Sequence, residues 1–125
     1  MKKSPRKKLV AKLDKTFSEY IRARDGKCVQ CGATERLTCG HLITRSKYSV
    51  RWDSTNAFGQ CSKCNLLHEY QPERFTSWFI EKYGKEKYLD LVFRSNQIVR
   101  YNNDELLFLT ETYQELRDKI SWGTE

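Results

Sequence analysis

The chain has 125 residues, 38% of them apolar and 31% charged, with a formal charge of +7. That is enough for one modest soluble domain with a single core region. No run approaches the roughly 20 apolar residues of a membrane helix. The opening Met1-Lys2-Lys3-Ser4-Pro5-Arg6-Lys7-Lys8 has no hydrophobic stretch behind it of the kind that marks a secretory signal, so a reducing cytoplasm is the expected setting. The charge is lopsided: residues 1–65 hold 15 Lys and Arg against 5 Asp and Glu, or +10, whereas residues 66–125 hold 8 against 11, or −3. A polyanion is the expected partner of the first half, although basic arms also serve ribosomal and membrane-surface proteins.

Residues 1–8 read as a basic arm. Within residues 6–24, Leu9, Val10, Leu13, Phe17, Tyr20 and Ile21 recur three or four apart, which predicts an amphipathic helix over 9–25, stopped by Asp25-Gly26. Arg36 to Ile43 alternates enough for one hairpin strand and Asn56 to Gln60 for the other, with a long polar and aromatic loop between them. A further helix starts at Cys61-Ser62-Lys63-Cys64 and ends near Tyr70, because Pro72 disfavours helical geometry at Gln71. Pro72 then suits the first turn of a helix carrying Phe75, Trp78, Phe79 and Tyr83 to Gly84. Another runs from Lys85 to Arg94, with Tyr88, Leu89, Leu91, Val92 and Phe93 expected mostly inside. Asn103-Asp104-Glu105 announces the last, whose stripe is Leu106, Leu109, Tyr113, Leu116 and Ile120. The organisation is thus one α+β domain over 1–125, with a central region at 26–71 and a helical extension at 72–122 expected to be structural.

Cys28-Val-Gln-Cys31 and Cys61-Ser-Lys-Cys64 each place two thiols on a tight turn. In a reducing compartment two such knuckles predict one structural zinc site rather than two disulfides. Four thiolates leave no position open for substrate, so any chemistry belongs to what the zinc frame positions. Between the knuckles lies His41, whose ordinary pKa suits a general base near neutral pH. Asn56 opens the return strand, where its amide could hold the His41 ring or the linking loop. Asn65, His68 and Glu69 stand at i, i+3 and i+4, so one helix face presents all three. Oxygen from Asn65 and Glu69 suits Mg2+ or Mn2+, and His68 would favour a softer ion such as Mn2+, Ni2+ or Zn2+. Arg45, Lys47, Tyr48, Arg51 and Trp52 interleave bases with aromatics. Arg45, Lys47, Arg51 and Lys63 are the candidate phosphate contacts, with Trp52 in the core and an Arg51–Asp53 pair as the alternative for two of these side chains.

The run Cys28-x-x-Cys31, Cys39-Gly40-His41, Arg45-Ser46, Arg51-Trp52-Asp53, Asn56, Gln60-Cys61-x-x-Cys64-Asn65, followed by His68-Glu69-Tyr70-Gln71-Pro72 and Tyr83-Gly84, resembles the NinG (Rap) phage recombination family. That family is grouped with the HNH endonucleases. The resemblance covers roughly residues 25–95 and implies a zinc-stapled treble-clef or ββα-metal core. The Cys64-Asn65 junction is similar to phage endonuclease VII, where an asparagine after the last zinc cysteine binds the catalytic metal. By resemblance, His41 is the base, Asn56 the middle HNH asparagine and Asn65 a ligand of catalytic Mg2+ or Mn2+. The implied substrate is branched or recombination-intermediate DNA, and resolving a symmetric junction would call for a homodimer.

Many HNH enzymes carry Asp or His just before the base, and this chain has Gly40. Cys39 or Thr38 could substitute in part, Glu69 could complete the site, and Cys39 could equally be a small buried hydrophobe. Three functions stay in view: a metal-dependent DNA endonuclease, a zinc-knuckle DNA-binding module without catalysis, and a protein-interaction adaptor working through its C-terminal helices.

Overall fold

A computed structural model of the protein describes residues 4–123. In chain order it contains α1 (Pro5–Asp25), β1 (Leu37–His41), α2 (Tyr48–Arg51), β2 (Ala57–Cys61), α3 (Ser62–Tyr70), α4 (Pro72–Tyr83), α5 (Lys85–Ser95) and α6 (Asn103–Gly123). The fold is α+β, with helices dominating and one two-stranded sheet.

Helix α1 starts earlier than its apolar spacing predicts. The Ser4 hydroxyl accepts from the Lys7 N–H and Pro5 occupies the first turn, so Arg6, Lys7 and Lys8 are helical rather than part of an arm. Arg6 also donates to the Tyr101 carbonyl oxygen, tying this end to the segment before α6. Lys2 and Lys3 lie outside the described residues. At the other end Gly26, at φ 68, returns its N–H to the Arg22 carbonyl at 2.8 Å, a left-handed stop that costs glycine no Cβ clash.

Strands β1 and β2 pair antiparallel, with Leu37 opposite Cys61 and His41 opposite Ala57. The segment linking them is not loop throughout, because Tyr48–Arg51 winds into the short α2. Every residue of β2 is buried. Alternation sends Ala57 into a cluster with Leu13, Phe17, Ile21, Leu106 and Tyr113 of α1 and α6, and Phe58 into one with Phe75, Phe79 and Leu91 of α4 and α5. The hairpin is therefore covered on both faces. Trp52 joins the α1–α6 cluster, 4% exposed.

The expectation for α5 needs correction. Tyr88, Leu91 and Ser95 face inward at helical spacing, which rotates Leu89 and Phe93 outward; Phe93 is 66% exposed and Tyr83 is also at the surface. Among the described residues, no helix is long and apolar enough to cross a membrane.

Candidate functional site

The first knuckle is a closed turn. Cys28 N–H donates to Ala33 O at 2.8 Å and Gly32 N–H to Cys28 O at 2.9 Å, while Val29 N–H donates to Gly59 O at 2.9 Å and joins the knuckle to β2. The second knuckle is the junction of β2 and α3. Cys61 is the N-cap, its sulfur accepting from Cys64 N–H at 3.4 Å. All four Sγ atoms lie within 4.8 Å of one another, and those of Cys31 and Cys61 are 3.6 Å apart. Thiolates about 2.3 Å from zinc stand about 3.8 Å from each other in a tetrahedron, so the set could hold a zinc ion. Burial opposes ionisation of Cys28, but N–H groups of Cys61, Cys31 and Gln30 outweigh it and bring the thiol down to about 7. Cys39 stands apart from this set: burial pushes it up to about 12, and it packs against the α1–α6 cluster as a neutral thiol.

Beside the knuckles a cleft of about 550 Å³ opens between α1, β1 and α3, and His41, Arg45, Asn65, His68 and Glu69 all line it. His41 at the end of β1 lies 2.8 Å by Nε2 from the Arg51 carbonyl oxygen. A carbonyl only accepts, so Nε2 carries the proton and Nδ1 keeps the lone pair. Burial lowers the His41 pKa below its ordinary value, against the favourable pull of that carbonyl, which keeps the ring neutral near pH 7. His68 is anchored alike, Nε2 to Leu42 O at 3.1 Å and its ring edge-on to Phe75, while its Nδ1 is buried with no hydrogen-bond partner among the described residues. Asn65 donates Nδ2 to Thr38 Oγ1 at 2.9 Å, and Thr38 donates to Gln60 O at 2.7 Å. This relay fixes the amide, and its oxygen makes no hydrogen bond among the described residues. Glu69 is exposed at the rim. The ligand atoms of His41, His68 and Glu69 do not all lie within 4.8 Å of one another; among the described residues only the cysteines cluster so tightly.

Asn56 is elsewhere. It is fully buried, its Nδ2 donates to Ile43 O (2.9 Å) and Val50 O (3.0 Å), and its Oδ1 accepts from Ile43 N–H (2.8 Å). Of the two tasks open to it in the sequence, its hydrogen bonds go to the linking loop; among the described residues its side chain makes none to His41, and it does not line the cleft. Arg51 is also committed, its guanidinium bridging both oxygens of Asp14 at 3.0 and 2.6 Å. The sequence alternative of an Arg51–Asp53 pair is replaced by this one, and Asp53 instead pairs with Arg94. Arg45, Lys47 and Lys63 are exposed cations.

Gly40 has a steric cause. A Cβ there would stand 1.7 Å from Gln60 Oε1, and Gln60 is fully buried with Nε2 on Gln30 Oε1 at 2.6 Å. The glutamine occupies the space that a side chain at position 40 would need. Sequence reasoning missed Gln60, and it missed Asp14 and Ser18, which line the cleft from α1. Asp14 stands four residues after Val10 and three before Phe17, so it borders the apolar stripe of α1, and a carboxylate at that border was the one signal the sequence offered.

The family model described as Bacteriophage Lambda NinG protein matches residues 1–121. The chain belongs to the NinG family. No curated protein and no solved structure matched it. Because the match runs from residue 1 to residue 121, this NinG-family chain carries the family pattern through α1 and most of α6 as well as the knuckles and hairpin.

Proposed function

We propose that this protein is a metal-dependent HNH-type DNA endonuclease, phage-encoded, that acts on branched or recombination-intermediate DNA, with structural zinc in the four-cysteine site. The observation that carries the reading is the meeting of His41 from β1 with Asn65, His68 and Glu69 from α3 in one cleft, with exposed Arg45 at its edge. The order hairpin then helix, with cysteines at the junction, supports a ββα-metal core. In this reading His41 Nδ1 takes a proton from water as the water oxygen bonds to phosphorus; the bond from phosphorus to the leaving oxygen breaks, and that oxygen is protonated from solvent. Asn65 and Glu69, with His68 as a further donor, are the groups suited to a divalent ion, which would supply positive charge against the phosphorane oxygens. Asn56 acts indirectly, by holding the loop between the strands. Arg45, Lys47 and Lys63 contact phosphates, and Arg51 is a lesser contact because Asp14 already engages it.

Linear, forked and four-way-junction DNA incubated with Mg2+, Mn2+ or EDTA tests the reading. Cleavage should need the divalent ion, favour branched substrates, and fall roughly a hundred- to ten-thousand-fold in His41→Ala with zinc content and DNA binding kept. A His41→Ala protein that cleaves at the wild-type rate refutes it. The second reading is a zinc-knuckle DNA-binding module without catalysis. It is favoured by Gly40, where the Gln60 side chain leaves no room for a ligand next to the base. Salt-sensitive DNA binding with no cleavage under any metal would select it.

A further inference from the structure

One carboxylate reaches the cleft from outside the hairpin and α3. Asp14 on α1 accepts from Arg51 Nε at 3.0 Å and Nη2 at 2.6 Å, through separate oxygens, and from Trp52 Nε1 at 2.9 Å. Three donors from two consecutive residues thus converge on a group 37 and 38 positions earlier in the chain. Those two residues end and cap α2, which has only four residues and no side-chain cap of its own. A two-point guanidinium–carboxylate pair fixes orientation as well as position. Here it is largely shielded, with the Arg51 and Asp14 side chains 13% and 24% exposed. Arg45 stands 4.0 Å from the same carboxylate but is 64% exposed, and such a contact contributes little. The backbone carbonyl of clamped Arg51 is the group that receives His41 Nε2 at 2.8 Å.

We infer that Asp14 is a positioning residue for His41: by clamping Arg51 and Trp52 it aims the Arg51 carbonyl oxygen at Nε2, which holds the imidazole in the tautomer whose lone pair is on Nδ1. This rests on the proposed role of His41 as base, and it makes α1 part of the working site rather than a flank. Asp14→Ala leaves the Arg51 guanidinium and the Trp52 indole without their shared acceptor. Val50 and Trp52 stay anchored through Asn56 and the α1–α6 cluster, but the Arg51 side chain loses its hold, and with it the aim of the carbonyl that makes the one hydrogen bond of the His41 ring among the described residues.

The test uses the zinc-loaded 125-residue chain labelled with 15N at histidine, where His68, the second histidine of the chain, is an internal reference. Wild type should show His41 as the Nε2–H tautomer alone. Asp14→Ala should admit the Nδ1–H form at His41 with His68 unchanged, and Asp14→Glu should restore the wild-type pattern. In DNA cleavage with Mn2+, Asp14→Ala should lower kcat roughly ten- to a hundredfold with KM little changed, as expected when a reacting group is misplaced. A merely structural role would lower the melting temperature but leave the tautomer and the kcat of the folded protein alone. Should Asp14→Ala not fold, Asp14→Leu, which is close in shape and has no acceptor, is read by the same tautomer signal. An unchanged His41 tautomer in whichever variant folds overturns the inference. If wild-type protein cleaves no DNA, the tautomer comparison still decides the role of Asp14, and only the endonuclease reading fails.

Discussion

At the cysteine cluster, four donors of one kind arrive from two short turns, and all lie within 4.8 Å of one another. At the cleft, an amide, two imidazoles and a carboxylate arrive from β1 and α3, while α1 contributes Asp14 behind them, and the imidazoles and carboxylate of α3 and β1 do not converge to that distance. The cluster is a closed thiol set fit for holding a frame. The cleft is open and chemically mixed, with a neutral imidazole at its edge. The two are joined mechanically, because Cys61 ends β2 and caps α3, and because the first knuckle is bonded to β2 through Val29 and to Gln60 through Gln30.

Removing one cluster donor breaks the comparison most severely. Cys61→Ser should lose the metal and unfold the hairpin and α3, since binding and folding are coupled in small zinc sites and a domain of this size has only about 5–15 kcal/mol of total stability. Elemental analysis with circular dichroism checks it; a variant that keeps full helical signal without zinc would show that the cluster is not the frame.

A smaller effect is expected where cluster and cleft meet. Gly40→Ala places a methyl group 1.7 Å from Gln60 Oε1, inside a fully buried side chain. The overpacking should cost about 1–3 kcal/mol in urea unfolding. Gln60→Ala in the same chain should return part of that loss. Equal stability of Gly40→Ala and wild type would mean that Gln60 swings aside freely and does not enforce the glycine.

The smallest effect is specific to the cleft and to pH. The folded-state pKa of His41 lies below the unfolded value of about 6.5, so the unfolded chain binds the proton more readily. The stability from a neutral buried ring is present in full above about 6.5 and is lost as pH falls through that value toward the lowered folded one. Comparing urea midpoints at pH 7.5 and 5.5, wild type should lose more than His41→Gln. Parallel losses in the two proteins would show that His41 does not carry this pH dependence.

The knuckles were legible because a C-x-x-C turn is local: the backbone between two cysteines three residues apart suffices to bring the thiols together. Helix ends were legible for the same reason, as at Gly26 and at Pro72, and so was the face shared by Asn65, His68 and Glu69. Local signals misjudged what neighbours decide. Phe93 looked like core but faces out, because packing on α4 and α2 selects the Tyr88–Leu91–Ser95 face of α5. For Asn56 the sequence left the His41 ring and the linking loop both open, and only the closed loop settles its amide on Ile43 and Val50. By itself the sequence determined two zinc-type knuckles around a histidine hairpin, a basic first half and an α+β domain, since each depends on short spacing or on composition. Only the tertiary structure decided that α1 and α6 close one face of the hairpin, that Gln60 fills the space beside Gly40, and that Asp14 holds the residue behind His41. Each of these needs side chains 20 or more positions apart to meet, and burial on both faces of β2 is the physical cause that brings them there.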